Sequence, residues 1–450
     1  MTKHRFLFTC WPLTGHVNGQ LAIASALRDR GHEVAFVSGS KARPNIEAAG
    51  FELIPFTHID EVAFAGYIDR LETRDLKAKP SASEVRKLLR SWLVDTIPDQ
   101  LLDLEPIIER WQPDVIVTDL SMWGTIVVLW EKLGIPVALS STFMGPMIPG
   151  PDAPPWGIGL PPAKNRATHL AYDAINRITQ AAGKSMRERL DAIRAEHGLG
   201  PLGGTVDWFS GKLPLYLVGN VPELDYDRHD LPPSVHYLGD TLWFPPETPE
   251  TAALLDDIPT ERPWVHVSEG TLHSGDPFVL RAAAIGLRDL PVEAVLTAGG
   301  TRDPQSLGLG PLAKNIHLVR WVNHGTLMAR CKAVVTAGGA GTIVAALHAG
   351  VPLVIVPTTW DKPDNARRVT EAGVGIKLTP KQCTAAGLRT AVEQVLGDPS
   401  YAANARAVAE SFLKAPGPAG AAELLEDLAP AREGEGERVE AGGKTEGSQK

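Results

Sequence analysis

The residues best suited to chemistry lie in one stretch, Val334 to Leu378, where an apolar run enters Gly338, Gly339 and Gly341 and then Thr342. An alternating Ala/Leu segment follows, so the pattern reads strand, glycine turn, helix. Such a turn can cradle an anion. Glycines let the backbone approach closely, the first N–H groups of a helix have no internal partner, and the helix dipole favours negative charge there. Thr342 adds a hydroxyl donor. A tight strand-to-helix turn with no ligand would read the same way on the glycines alone. The next strand, "PLVIVP" (352–357), is followed by a polar loop, Asp361, Lys362, Pro363, Asp364 and Asn365. Open α/β sheets bind ligands at the carboxyl ends of their strands, so two neighbouring strand ends would carry polar groups into one crevice.

The elements that must hold these residues read as βα alternation throughout. Arg5 to Pro12 is a first strand, Leu13 to His16 a turn, and a helix runs on to Arg30 with Gly31 as its stop; "HEVAFVSG" is the second strand. This opening suits a doubly wound sheet without the G-x-G-x-x-G dinucleotide fingerprint. Residues 57–111 are charged and helix-rich, with Pro80 and Pro98 as breaks. "PDVIVTD" (113–119) and "IPVALSS" (135–141) are buried-type strands. The segment 145–162, rich in proline and glycine, reads as a mobile loop, and 167–197 as helical. "LYLVGN" and "VHYLGD" close a first domain, and "WVHVSEGT", "VEAVLTAG", "IHLVRWV" and "AVVTAG" build a second.

At 450 residues the chain is too long for one ordinary core. Apolar residues make up 44%, and the net charge of −9 shows no basic stripe, which argues against a nucleic-acid partner. Apolar runs are strand-length, far short of the ~20 residues of a membrane span. The start has no signal-peptide pattern. Three scattered cysteines, Cys10, Cys331 and Cys383, fit a reducing cytoplasm. No cluster has metal-ligand spacing, so neither metal nor cofactor is expected.

The stretch 334–378 resembles the donor-binding half of the family-1 nucleotide-sugar glycosyltransferases, whose bacterial members carry His-Gly-Gly-x-Gly-Thr, Glu-Ala-Leu, Gly-Val-Pro and Asp-Gln-Pro-x-Asn-Ala before Arg-Val. The matching residues are Gly338, Gly339, Gly341, Thr342, Leu347, Gly350, Val351, Pro352, Asp361, Pro363, Asn365, Ala366, Arg368 and Val369. Gly15-His16 and Arg30-Gly31-His32-Glu33-Val34 resemble the family's first half, with Gly19 in place of its usual proline, so the resemblance covers most of the chain. Three functional positions depart: Ala337 stands for a phosphate-binding His, Ala345 for a ribose-binding Glu, and Lys362 for a sugar-binding Gln.

The resemblance implies an α/β protein of GT-B fold, two Rossmann-like parallel-sheet domains facing a cleft. The expected division is an acceptor domain at 1–240, a linker at 241–262 with proline and acidic content, and a donor domain at 263–413. A C-terminal helix at 414–430 would pack back on the first domain, before a disordered tail at 431–450. It also implies an inverting, metal-independent enzyme moving sugar from a UDP- or dTDP-sugar to a small lipophilic acceptor. A catalytically silent GT-B protein that binds a partner or ligand is the alternative. His16 matches the catalytic base, apt for a group titrating near neutrality, and Asp119 its carboxylate partner; Asp119 would serve equally as a helix N-cap. Trp321 matches the platform for the base, with the backbone of Val322 at the base edge, and Ser268 and Thr271 match a turn beside the phosphates. Lys362 would reach the diphosphate or a carboxylate on the sugar, or point to solvent. Trp11, Trp123, Phe143 and Met144 are candidates for an apolar acceptor wall or for plain core.

Overall fold

A computed structural model describes residues 2–72, 81–271, 275–300 and 302–430 of the protein; the tail expected at 431–450 lies outside them. Seven strands form a first sheet: β1 (Arg5–Thr9), β2 (Glu33–Ser38), β3 (Glu52–Pro55), β4 (Val115–Asp119), β5 (Val137–Ser141), β6 (Leu215–Val218) and β7 (Val235–Tyr237), in the order β3-β2-β1-β4-β5-β6-β7. Six form a second: β8 (Trp264–Ser268), β9 (Glu293–Thr297), β10 (Ile316–Val319), β11 (Cys331–Thr336), β12 (Leu353–Ile355) and β13 (Gly375–Lys377), in the order β10-β9-β8-β11-β12-β13. All pairings are parallel. Central strands such as β4, β5, β8 and β9 are buried along their whole length, as parallel strands covered on both faces must be.

Both sheets reverse their winding at one point, between β1 and β4 and between β8 and β11, and there the carboxyl ends open a crevice. Register brings the critical turns level. Thr9 pairs with Thr118, their buried hydroxyls 2.9 Å apart, and Ser268 pairs with Thr336. Side chains alternate between faces: Leu7, Val37 and Ile116 enter one apolar cluster, Phe6, Phe8, Phe36 and Val117 the other. Met144, Val221 and Leu224 come from the first half of the chain, yet they share a cluster with Val344, Leu347 and Phe412 of the second.

One helical reading needs correction. The segment 167–197 is two helices, Arg166–Ala182 and Lys184–Glu196, divided at Gly183. The stretch 241–262 holds a helix, Pro249–Asp257, whose first turn is set by Thr248 as N-cap and Pro249 at the first helical position. A proline there starts a helix, since its missing N–H has no bond to lose.

Helix Gly417–Leu428 crosses to the first domain and lies on helix Thr14–Asp29. Ala421, Ala422 and Leu425 are fully buried beside Leu21, Ala24 and Leu27. At its end the Glu426 carboxylate accepts from Arg30 Nε and Nη2 at 2.6 and 2.7 Å and lies 2.6 Å from His32 Nε2. The Arg30 hydrogen bonds, aided by His32, pull Glu426 down to about 2. A depressed carboxyl pKa stabilises the fold above its ordinary value and loses that contribution as pH falls toward the folded one. We expect Leu425→Ala to cost about 2–5 kcal/mol in urea unfolding. A loss well under 1 kcal/mol would show that the helix does not seal the first core.

Candidate active site

Helix Thr14–Asp29 begins earlier than expected, so His16 sits in its first turn and not in a preceding loop. Its Nδ1 lies 3.0 Å from Asp119 Oδ2. A carboxylate only accepts, so Nδ1 carries the hydrogen and Nε2 is the basic nitrogen. Asp119 has no exposed surface and all its capacity is used. Oδ2 also takes the Trp11 N–H at 2.9 Å, while Oδ1 takes Ser121 N, Ser121 Oγ and Met122 N at 2.6, 2.7 and 3.1 Å. One oxygen thus closes the turn after β4, short of the helix that follows, and the other holds the imidazole. Burial pushes this carboxyl up, but His16 and the hydrogen bonds outweigh it and keep it below the usual carboxylate range.

His16 lines a cavity of about 590 Å³ that the two domains share. From the second domain come Ser268, Thr271, Trp321, Gly339, Gly341, Thr342, Asp361 and Lys362. Helix Ala340–His348 starts at this wall, with Gly339 as its N-cap. Gly338 does not reach the cavity: at φ +94° it makes the turn, its N–H is taken by Thr336 Oγ1 at 3.3 Å and its carbonyl by Asn365 Nδ2 at 2.9 Å. Val322 is fully buried, its side chain in the second domain's core. Ala337 and Ala345 are covered as well, so neither departure puts a polar group on the wall. Asp361 accepts from Asn365 Nδ2 at 2.7 Å, and burial raises its carboxyl above the ordinary value despite that bond.

The first domain's share is largely apolar. Trp123 and Phe143 line it as expected, joined by Trp92, Met147 and Trp156. Trp11 and Met144 do not. The Trp11 ring has no exposed surface, stacks on Phe64 at 4.4 Å and donates its indole N–H to the Ser121 carbonyl. Met144 turns instead into the apolar cluster that joins the two domains.

Residues 287–428 match the model of the EryCIII-like C-terminal domain, erythromycin biosynthesis protein CIII-like. Over 426 residues the chain is 30% identical to 4'-demethylrebeccamycin synthase of Lentzea aerocolonigenes, covering 94% of this chain and 99% of that protein. The chain belongs to the bacterial family-1 glycosyltransferases. It is also 28% identical over 438 residues to demethyllactenocin mycarosyltransferase of Streptomyces fradiae, covering 94% and 86% of the two chains. Its fold matches the crystal structure of the calicheamicin glycosyltransferase CalG4 with TM-score 0.69 at 24% identity, over 95% and 98% of the chains. The glycosyltransferase is thus of GT-B fold and of the natural-product biosynthesis type.

Three features of this glycosyltransferase site escape a reading of the sequence. Trp360, just before Asp361, has φ +61°, a left-handed conformation that costs a non-glycine residue about 1–3 kcal/mol. Its ring meets Trp92 of the first domain edge-on at 5.8 Å. His324 reaches the cavity beside Trp321, 5.2 Å from the buried His266 ring; burial lowers His324 to about 4, which leaves it neutral at physiological pH. The loop 145–162 is not loose. Gly157 and Gly159 donate their N–H groups to Asp364 at 2.6 and 2.7 Å, and a Cβ on Gly159 would sit 2.6 Å from the Pro363 carbonyl oxygen. Here glycine serves close approach.

Arg368 completes the clamp between domains. Its Nε donates to Asp225 Oδ1 at 2.7 Å, Tyr237 donates to Asp225 Oδ2 at 2.6 Å, and its guanidinium lies 4.3 Å from the Tyr226 ring centre. Both charged side chains are nearly or fully buried. Removing one partner of a buried pair strands the other charge, so Arg368→Ala is expected to cost about 3–5 kcal/mol in chemical denaturation. Arg368→Met with Asp225→Asn should recover most of that loss. Equal damage in single and double variants would locate the cost in packing and not in the charge.

Proposed function

We propose that the enzyme is an inverting, metal-independent glycosyltransferase carrying sugar from a UDP- or dTDP-sugar to a hydroxyl of a small lipophilic acceptor. One observation carries this reading: His16, held on the buried Asp119, shares a single cavity with the start of helix Ala340–His348. The first domain takes the acceptor and the second the donor. His16 Nε2 removes the acceptor's hydroxyl proton as its oxygen attacks the anomeric carbon. The imidazolium so formed is stabilised by Asp119. The bond to the nucleoside diphosphate breaks on the opposite face, and the departing oxygen takes the electron pair.

The leaving charge falls on the first turn of helix Ala340–His348, where backbone N–H groups lack helical partners. Lys362, Ser268 and Thr271 line the same wall and contact the phosphates. Trp321 stacks on the base, and Asp361 accepts from sugar hydroxyls. With alanines at 337 and 345, an ammonium at position 362 supplies the charge that an imidazole would otherwise bring.

We expect His16→Ala to lower turnover by about 10²–10⁴-fold with UDP or dTDP affinity unchanged by calorimetry. Near-normal transfer in that variant would sink the mechanism. Asp119→Asn should slow transfer on a similar scale while acceptor binding persists, and excess chelator should leave the wild-type rate intact. For Lys362→Gln the expected loss is about 1–3 kcal/mol in bare nucleoside diphosphate binding, diminishing as salt rises. If only the sugar donor weakens, the lysine reads the sugar.

A further inference from the structure

The first domain's part of the cavity contains one group that the transfer reaction does not use. Asp207 lines it among Trp123, Phe143, Met147, Met186 and Leu190, and it is the only carboxylate that the described first-domain residues bring to the wall. The backbone fixes its place. Thr205 Oγ1 caps helix Val206–Ser210 by accepting from Trp208 N at 3.2 Å, Val206 and Phe209 are buried beneath, and Ser210 Oγ donates to the Asp207 carbonyl at 2.8 Å.

Two carboxylates of this domain can be compared, Asp119 without exposed surface and Asp207 partly exposed. Asp119 is saturated by donors and held ionised. The Asp207 carboxyl has no hydrogen-bond or ion-pair partner among the described residues, and burial alone pushes it up to about 6. It stands unpaired on a wall that is otherwise largely apolar. The neighbouring polar groups do not pair with it. Tyr216 accepts the Met147 N–H at 3.2 Å, the Lys212 ammonium lies over the Trp208 ring at 4.0 Å, and Arg228 is bound to Asp230 at 2.5 Å. Arg187 lines the same cavity without bridging to Asp207.

We propose that Asp207 selects acceptors that carry a basic nitrogen on an apolar scaffold. The ammonium group would pair with the carboxylate, the scaffold would lie against Trp123, Phe143 and Met147, and the hydroxyl to be glycosylated would be left to His16. The proposal rests on the first-domain lobe being the acceptor site, and it adds the acceptor's chemical class.

The test uses three probes of one ring size on the full-length enzyme, followed by fluorescence: 9-aminoacridine, cationic at neutral pH, neutral acridone, and anionic acridine-9-carboxylate. Wild type should bind 9-aminoacridine about tenfold to a hundredfold more tightly than acridone, the range of a charge-assisted hydrogen bond. Asp207→Asn should abolish that preference while acridone and nucleoside diphosphate affinities stay unchanged. Asp207→Glu should retain part of it, and Asp173→Asn, on an exposed helical surface, all of it. Equal binding of the first two probes in wild type would overturn the proposal. So would a cation preference surviving in Asp207→Asn, or tighter binding of the carboxylate probe, which would make Arg187 the reader. The two readings fail separately: a missing cation preference beside a dead His16→Ala variant defeats the role of Asp207 alone. Normal transfer by His16→Ala beside an intact preference defeats the mechanism alone.

Discussion

The site depends on where one buried charge finds its partners. Asp119 lies at the end of β4 with no exposed surface, and a carboxylate withdrawn from water is stable only when its lone pairs are occupied. Four of its five donors belong to the scaffold: the N–H of Trp11, the N–H and hydroxyl of Ser121, and the N–H of Met122. The fifth is His16. The imidazole is thus attached to a group that the ends of both β1 and β4 have already fixed. The parallel register of those strands is what makes this possible, because Thr9 and Thr118 stand level and their chains leave the sheet side by side.

The second domain has to be brought to that imidazole, and the contacts that do so are polar as well as apolar. Asp364 receives two backbone N–H groups from the first domain. Arg368 spends its charge on Asp225, and Met144 inserts into the second domain's core. All three lie close to the polar loop that follows β12 or to the turn after β5, so the segments that join the domains also build the cavity. The helix Gly417–Leu428 adds a further crossing, from the end of the chain back to its first helix.

Much of this was legible because parallel strands buried on both faces write themselves as apolar runs, and because the glycine turn and the Asp361–Asn365 loop carry a dense pattern. The central strands were visible for that reason, whereas His16 and Asp119 were singled out by the family resemblance. Failures have physical causes. β3 is short and ends at a proline, and gave too little signal. Trp11 and Trp123 look alike in sequence, yet one lies under the turn held by Asp119 and the other faces the cavity. Proline and glycine in 145–162 suggested looseness, whereas the glycines serve backbone approach to Pro363 and Asp364. The left-handed Trp360 has no sequence signature at all.

That tryptophan stands where the two domains meet across the cavity. Its ring borders the cavity and meets Trp92, while its backbone sets the direction in which Asp361 and Lys362 leave β12. On the proposed function, a molecule that fills the first-domain lobe would meet the same residue whose conformation aims Asp361 and Lys362. On that reading an acceptor that steadies Trp360 would tighten the donor site, and a bound donor would return the same factor to the acceptor, since coupling free energy has no direction. Substrate affinities measured one at a time would then understate how firmly the ternary complex holds together.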